Sequence, residues 1–238
     1  MSSPDSTRKI ARRAGLLYLL FSLPGPFALL YVPGKLFVQG DAAATADRLR
    51  SSEGLLRMGM AAELIGFAGF IFVGLALYRL FRPVSEGHAL AMLVLDLVSV
   101  PISFVCVLGE IAALDFAGGG GGARFLSAFD QPQRDAMAYL CLRLHGQGFH
   151  VAGIFWGLWL LPFGICVMRS GFIPRVLGIL LVIAGCGYFA SSLATLALPQ
   201  YAHAVGRVTE LTNLGELPII FWLLIVGARP PRADARAS

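Results

Sequence analysis

The chain has 238 residues, of which 57% are hydrophobic and only 14% charged, with a mean hydropathy of +0.73. A soluble domain carries about a quarter charged residues, so this composition excludes an ordinary soluble fold and sets the class as a single integral membrane domain. The net charge of +5 is no nucleic-acid footprint, because the basic residues collect at the ends of apolar segments rather than along one face.

Arg8, Lys9, Arg12 and Arg13 precede an apolar run from Ala14 to Val32. The run is too long for the h-region of a signal peptide, and the small-residue stretch Ala42-Ala43-Ala44 lies about ten residues beyond its end, so it is expected to stay as a first span. Pro24 and Pro26, around Gly25, predict a kink or break near its middle. Tyr18 and Tyr31 suit the two membrane interfaces. Pro33 to Glu53 reads as a polar outer loop, and Gly54 to Phe81 as the second span, with Arg79 and Arg82 at its end and Pro83 as the stop.

The third span runs from about His88 to Asp115. Gly118 to Gly122 is a flexible outer linker leading into an amphipathic stretch, Arg124 to Ala138. From Leu144 to Leu181 two apolar runs are joined by a short turn at Ser170-Gly171, bracketed by Arg169 and Arg175. Each run approaches the ~20 residues that cross ~30 Å of hydrocarbon, which makes this a transmembrane hairpin. On its first arm Gly146, His150, Gly153, Gly157 and Gly164 share one face, the face expected against neighbouring helices. The fifth span covers about Phe172 to Leu198 and the sixth about Val208 to Val226, followed by Arg229, Arg232 and Arg236.

The expected fold is therefore all-α, a polytopic transmembrane helical bundle of six spans. A basic cytoplasmic N-terminus occupies residues 1–13, the membrane domain 14–228 and a cytoplasmic tail 229–238. Eleven of the 19 Lys and Arg residues lie on the short segments of one side and eight on the longer segments of the other, which places both termini in the cytoplasm.

The runs GIFWGLWLLPFGICVMRSGFIPRVLGILLVIAGCGY, ARRAGLLYLLFSLPGPFALLYVPGKLFVQGDAAATA, LVSVPIS and GELPIIFWLLIVG resemble the bacterial multi-pass membrane family catalogued as domain of unknown function 4386. The likeness spans about Ala11 to Gly227, and the five-glycine tract departs from it. The resemblance implies a small polytopic protein of a bacterial inner membrane and carries over no catalytic or binding residue.

An ionisable side chain inside a membrane costs roughly 2.5–3.5 kcal/mol on insertion scales, so such residues face a partner or water. In the third span Asp96, Ser99, Ser103, Cys106 and Glu110 recur at steps of three and four and keep to one face, a polar ladder. In the second span Glu63 lies on the face of Gly59, Gly66, Phe70 and Gly74; in the sixth, Thr209, Thr212, Asn213 and Glu216 cluster. Glu63, Glu110, His150, Glu216 and Asn213, with Arg57 and Arg143 above them, are expected to converge on an outward-opening polar pocket. The alternative is a set of separate ion pairs, such as Arg57 with a carboxylate.

His145 and His150 lie ~140° apart around a helix and do not chelate together. His145 is expected near the interface and wetted. No zinc, Walker, dinucleotide or GxSxG motif occurs, so neither metal nor cofactor is expected from the sequence. Cys106, Cys141, Cys166 and Cys186 form no CxxC pair and read as structural thiols.

Three functions fit. The leading one is small-solute or proton-linked transport through the polar cavity. The others are an intramembrane metal-dependent hydrolase of a lipid-like substrate and a non-catalytic accessory or sensor protein. The partners expected are the lipid bilayer and a small molecule or ion, with oligomeric state open.

The charge bias makes one direct prediction. A reporter fused at Ser238 should behave as cytoplasmic and one inserted in Gly118–Gly122 as exported; an exported C-terminal reporter would overturn the topology.

Overall fold

The computed structural model describes residues 4–118 and 124–228. The expected tail, 229–238, and four residues of the glycine tract therefore lie outside the described residues. Long apolar runs cannot leave backbone groups to lipid, so they close their own i to i−4 hydrogen bonds, and the described residues contain helices and no strand. Six stretches are long and apolar enough to cross a membrane: Ser6–Leu36, Glu53–Phe81, Glu86–Ala117, Gln131–Ser170, Arg175–Ala197 and Pro199–Ile225. The chain is an all-α, multi-pass membrane protein of six spans.

The first span is broken where its prolines fall. α1 (Pro4–Ser22) gives way to a single turn, α2 (Pro24–Pro26), then a π-helical segment at Phe27–Tyr31, then α3 (Val32–Leu36). Pro24, Pro26 and Pro33 each remove a backbone donor, and the wider π turns accommodate the mismatch. α1 starts at Pro4 and carries the basic residues Arg8, Lys9, Arg12 and Arg13 within it.

The stretch expected to be an outer loop contains α4 (Ala42–Ser51). Asp41 caps it by accepting from the Ala44 amide at 2.9 Å. The apolar side of α4 carries Leu49 into a buried cluster with Val32, Leu36, Leu56, Met60, Val107 and Leu114. Its polar side carries Arg50, which bonds Asp47 at 2.6 Å and Asp135 at 2.9 Å. Those bonds, Asp47 first, hold the guanidinium in its charged form more firmly than water does.

α5 (Glu53–Phe81) and α6 (Glu86–Ala117) follow the expected bounds within a few residues. The stretch after the glycine tract is a short 3₁₀ turn, Arg124–Ala128, and α7 then runs unbroken from Gln131 to Ser170. The amphipathic stretch and the fourth span are thus largely one helix. Gly171, at φ +71°, makes the turn into α8 (Arg175–Ala197), with the Ser170 hydroxyl accepting from the Ile173 amide at 3.3 Å. The sixth span is α9 (Pro199–Asn213), a 3₁₀ turn at Leu214–Glu216 and α10 (Leu217–Ile225). Pro218 at the start of α10 accounts for that second break.

The chain divides into two compact units: a first of Met1–Leu20, Gly69–Ser99 and His150–Ser238, and a second of Phe21–Ala68 and Val100–Phe149. In the first unit, Arg12 donates to the Ile225 carbonyl at 2.7 Å, satisfying a C-terminal orphan of α10. The start of α1 and the end of α10 therefore lie at the same end of that unit. α7 meets α8 through glycines: a Cβ on Gly157 would lie 2.6 Å from the Gly185 carbonyl oxygen, and one on Gly164 2.6 Å from that of Gly178. Close backbone approach supplies the packing that the hydrophobic effect cannot supply in lipid.

The polarity is inverted relative to a soluble protein. Leu108 is 60% exposed and Val105 65%, whereas Glu63, Asp96, Ser99, Ser103, Glu110 and His145 on the spans are buried.

Of the expected glycine face, Gly153, Gly157 and Gly164 pack on α8, with Ser192 against Gly153, but Gly146 has open space in front of it. Gly157→Ala should therefore lower the melting temperature in detergent, by about 1–3 kcal/mol of overpacking. Gly146→Ala should be neutral or stabilise by up to about 1 kcal/mol through helix propensity. Equal losses in both variants would refute this assignment of the packed side.

A buried Glu–Glu–His centre

Two glycines bring α6 and α7 into contact in the second unit. A Cβ on Gly109 would lie 2.9 Å from the Cys141 carbonyl oxygen and 3.1 Å from the His145 Cβ, and one on Gly148 would collide with the Cys106 sulfur. The missing side chains let the two backbones close up, each helix taking a residue of the other into its notch. The carbonyl of Cys106 then falls 3.0 Å from His145 Nδ1. A carbonyl only accepts, so Nδ1 carries the proton and donates it. Phe149 sets its ring at 4.8 Å edge-on to the imidazole and itself stacks on Phe67 at 5.6 Å. The ring is held on two sides.

With Nδ1 committed, His145 turns Nε2 toward two carboxylates, 3.5 Å from Glu63 Oε1 and 3.7 Å from Glu110 Oε1. Both distances exceed the 2.7–3.2 Å of ordinary N–H···O bonds, so these are ion-pair contacts rather than hydrogen bonds. Glu63 is 3% exposed, Glu110 2% and His145 7%. Neither oxygen of Glu63, nor Oε2 of Glu110, has a hydrogen-bond partner among the described residues. One donor atom from each of the three residues lies within 4.8 Å of the other two.

The depth of the centre follows from helix rise. Glu63 is ten residues into α5 and His145 fourteen into α7, about 15 and 21 Å from those helix starts at about 1.5 Å per residue. Above Glu63, Met60 and Leu56 belong to the buried apolar cluster closed by α3 and α4.

Burying two carboxylates so close together is unfavourable unless something positive is shared between them. A proton on Nε2 does this, and so does a metal ion. The donor set suits an ion of zinc, manganese, iron or cobalt type. Donors at about 2.0–2.2 Å from a tetrahedral ion stand about 3.3–3.6 Å apart, close to the N–O separations found here.

The sequence-predicted residues are thus partly reunited. Glu63 and Glu110 meet, but the imidazole with them is His145, not His150. The expectation that His145 is wetted near an interface is corrected. It rested on starting the helix at Leu144, whereas α7 begins at Gln131 and carries the ring well inside. Arg57 does not reach these carboxylates and pairs with Glu53 at 2.7 Å one turn away.

His150 is half-buried in the first unit. Glu216 is in that unit too, and there accepts from the Tyr18 hydroxyl. Tyr18 is completely buried and not interfacial as expected. Asn213 closes α9 with its Oδ1 buried and without a hydrogen-bond partner among the described residues. All five ladder residues of α6 are buried. Ser99 donates to the Asp96 carbonyl at 2.7 Å and Cys106 to that of Ile102 at 3.2 Å, so both bond their own helix.

The centre has a stability signature. His145→Ala leaves two facing buried carboxylates without their counter-group and should cost about 3–5 kcal/mol in metal-free protein. Glu63→Gln removes one of the charges and should cost clearly less. Indistinguishable melting temperatures for the two variants would sink the picture of a charge-compensated centre.

The family described as a domain of unknown function (DUF4386) matches residues 13–227. A protein of Archaeoglobus fulgidus, described as uncharacterized, is 31% identical over 159 residues, which is 67% of this chain and 77% of the relative. That relative is archaeal, where the resemblance implied bacteria. No solved structure matches the chain. With nine-tenths of its length matched, from the end of the basic cluster to the last turn of the sixth span, the chain belongs to the DUF4386 family of membrane proteins.

Proposed function

We propose that the protein is an intramembrane metalloprotein, a metal-dependent hydrolase acting on a lipid-like substrate, with Glu63, Glu110 and His145 as the metal ligands. The observation that carries this reading is the direction of His145. Its Nδ1–H is committed to a main-chain carbonyl and its Nε2 faces two carboxylates, of which both Glu63 oxygens and Oε2 of Glu110 lack a hydrogen-bond partner among the described residues. Metal-ligating histidines are oriented in this way by their outer nitrogen.

Three protein donors leave a coordination position open, which distinguishes catalytic from structural sites. A divalent ion bound there supplies Lewis acidity, lowering the pKa of a coordinated water or polarising an ester carbonyl. The protein's part is to hold the three donors, keep the imidazole in one tautomer and surround the centre with apolar side chains. A group placed about 10 Å or more inside a transmembrane helix meets substrates that partition into the bilayer, hence the lipid-like class.

Small-solute or proton-linked transport is the second reading. The breaks in the first and sixth spans favour it, because discontinuous helices line binding sites in many transporters.

Protein purified without chelators and loaded with zinc, manganese or cobalt should retain about one ion per chain after desalting. His145→Ala and Glu63→Ala should lose it, and Arg57→Ala should keep it, as read by elemental analysis. No retained metal, or equal retention in His145→Ala, would overturn the metal centre. Retained metal together with metal- or proton-driven solute uptake in proteoliposomes, and no ester or amide cleavage, would favour transport over hydrolysis.

A further inference from the structure

In the first unit three helices change from apolar to basic along one exposed stripe. On α1, Lys9, Arg13, Leu16 and Leu20 are all exposed and recur at steps of three and four, so they share a face. The stripe is basic near the start of the helix and apolar toward the middle of the span. On α5, Phe72, Leu75 and Arg79 repeat the pattern in the opposite chain direction, all three exposed. On α8, Arg175 stands one turn from Ile179, with Val176 beside it, and these too are exposed.

The alternation of six spans puts the start of α1, the end of α5 and the start of α8 on one side of the membrane. The bond from Arg12 to the Ile225 carbonyl, at the end of the sixth span, agrees with that alternation. The charge on this side is not neutralised. Residues 1–13, 79–88 and 167–176 hold eight Lys and Arg residues but only two acidic ones, Asp5 and Glu86. Arg82 pairs with Glu86 at 3.1 Å. Among the described residues, Lys9, Arg13, Arg79 and Arg175 have no carboxylate within ion-pair reach. The second unit treats its arginines differently, since Arg50 is held by Asp47 and Asp135 and Arg57 by Glu53.

A soluble anion needs only the charges. The apolar continuation of each stripe asks for more, because it is a surface that acyl chains cover. A basic group one turn from the first exposed apolar residue stands about 6 Å along the helix from it, where a long side chain reaches the headgroup level. We propose that the stripes of α1, α5 and α8 are seats for anionic phospholipids. Each holds a headgroup phosphate at its Lys or Arg and acyl chains along its apolar residues. The occupant is a phospholipid of net negative charge, in the leaflet at that end of the spans. A zwitterionic lipid brings an ammonium group that these side chains repel, so it is held less well. The metal centre plays no part in this proposal, since none of these residues belongs to it.

The test is electron spin resonance of the full-length protein in phosphatidylcholine vesicles, with trace spin-labelled phosphatidylglycerol or phosphatidylcholine as the probe. The ratio of their protein-bound fractions reads the preference. Wild-type protein should favour phosphatidylglycerol by about fivefold at low salt, the equivalent of one Lys or Arg near a lipid phosphate. Two arms need no variant. Added sodium chloride should bring the ratio toward one, whereas glycerol 3-phosphate, the anion without acyl chains, should not displace the labelled lipid at matched ionic strength. Combining Lys9→Gln, Arg13→Gln, Arg79→Gln and Arg175→Gln should reduce the ratio to near one. Arg207→Gln, exposed on α9 toward the other end of the sixth span, removes a charge without changing it. A wild-type ratio of one, or a preference indifferent to salt, would overturn the proposal. So would displacement of the lipid by glycerol 3-phosphate, or a preference that survives the four substitutions.

Discussion

The hydrogen bond from His145 Nδ1 to the Cys106 carbonyl fixes the chemistry of the second unit. Without it the imidazole would be free to choose its tautomer and to rotate about its side-chain bonds. With it, the proton stays on the outer nitrogen and Nε2 faces Glu63 and Glu110. The bond depends on the distance between two helix backbones, and that distance is set by Gly109 and Gly148. Any side chain at either position meets a carbonyl oxygen, the His145 backbone or the Cys106 sulfur first. The glycines therefore do more than permit packing, since they determine which side chain reaches the carboxylates.

The same economy governs the rest of the membrane domain. Lipid provides no hydrophobic force between helices, so apolar residues are left outside and small or polar residues turn inward. α7 and α8 close on Gly157, Gly164, Gly178 and Gly185, and Asp96 lies against Gly74. Of the acidic residues buried in the spans, Asp96 lies in a glycine-made notch and Glu63 and Glu110 face the His145 imidazole, arrangements in which a costly group can be kept. The ends of the domain use ordinary aqueous chemistry instead. Arg50 ties α4 to α7 through Asp135, Asp41 caps α4, and Arg12 closes α10.

Much of this is legible in the sequence because hydropathy and helix periodicity are local properties. The six spans, the proline-broken first helix, the inward face of Glu63 and the burial of the α6 ladder all follow from spacing alone. The identity of the histidine does not, because it depends on where α7 starts. Arg124 to Ala138 reads as amphipathic, yet Gln131 onward continues without a breaker into the apolar run, and that continuity is the signal for placing His145 deep. Tyr18 escapes a local reading for a similar reason. An aromatic residue near a span end suits an interface, but here Phe70, Trp159 and Phe163 surround it, and those contacts are long-range. The helix α4 is hidden by its polar composition, because only a narrow side, carrying Ala46 and Leu49, is buried.

The acidic residues of the spans show how one type of side chain is steered to different ends by its company. A carboxylate in an apolar interior requires compensation, and the compensating group decides the ligand. Glu63 and Glu110 are given an imidazole, whose Nε2 can carry a proton between them or join them as a donor to a cation. Glu216 is given a phenol hydroxyl, which relieves part of its charge without adding a metal donor, while Oδ2 of Asp96 is given only the space beside Gly74.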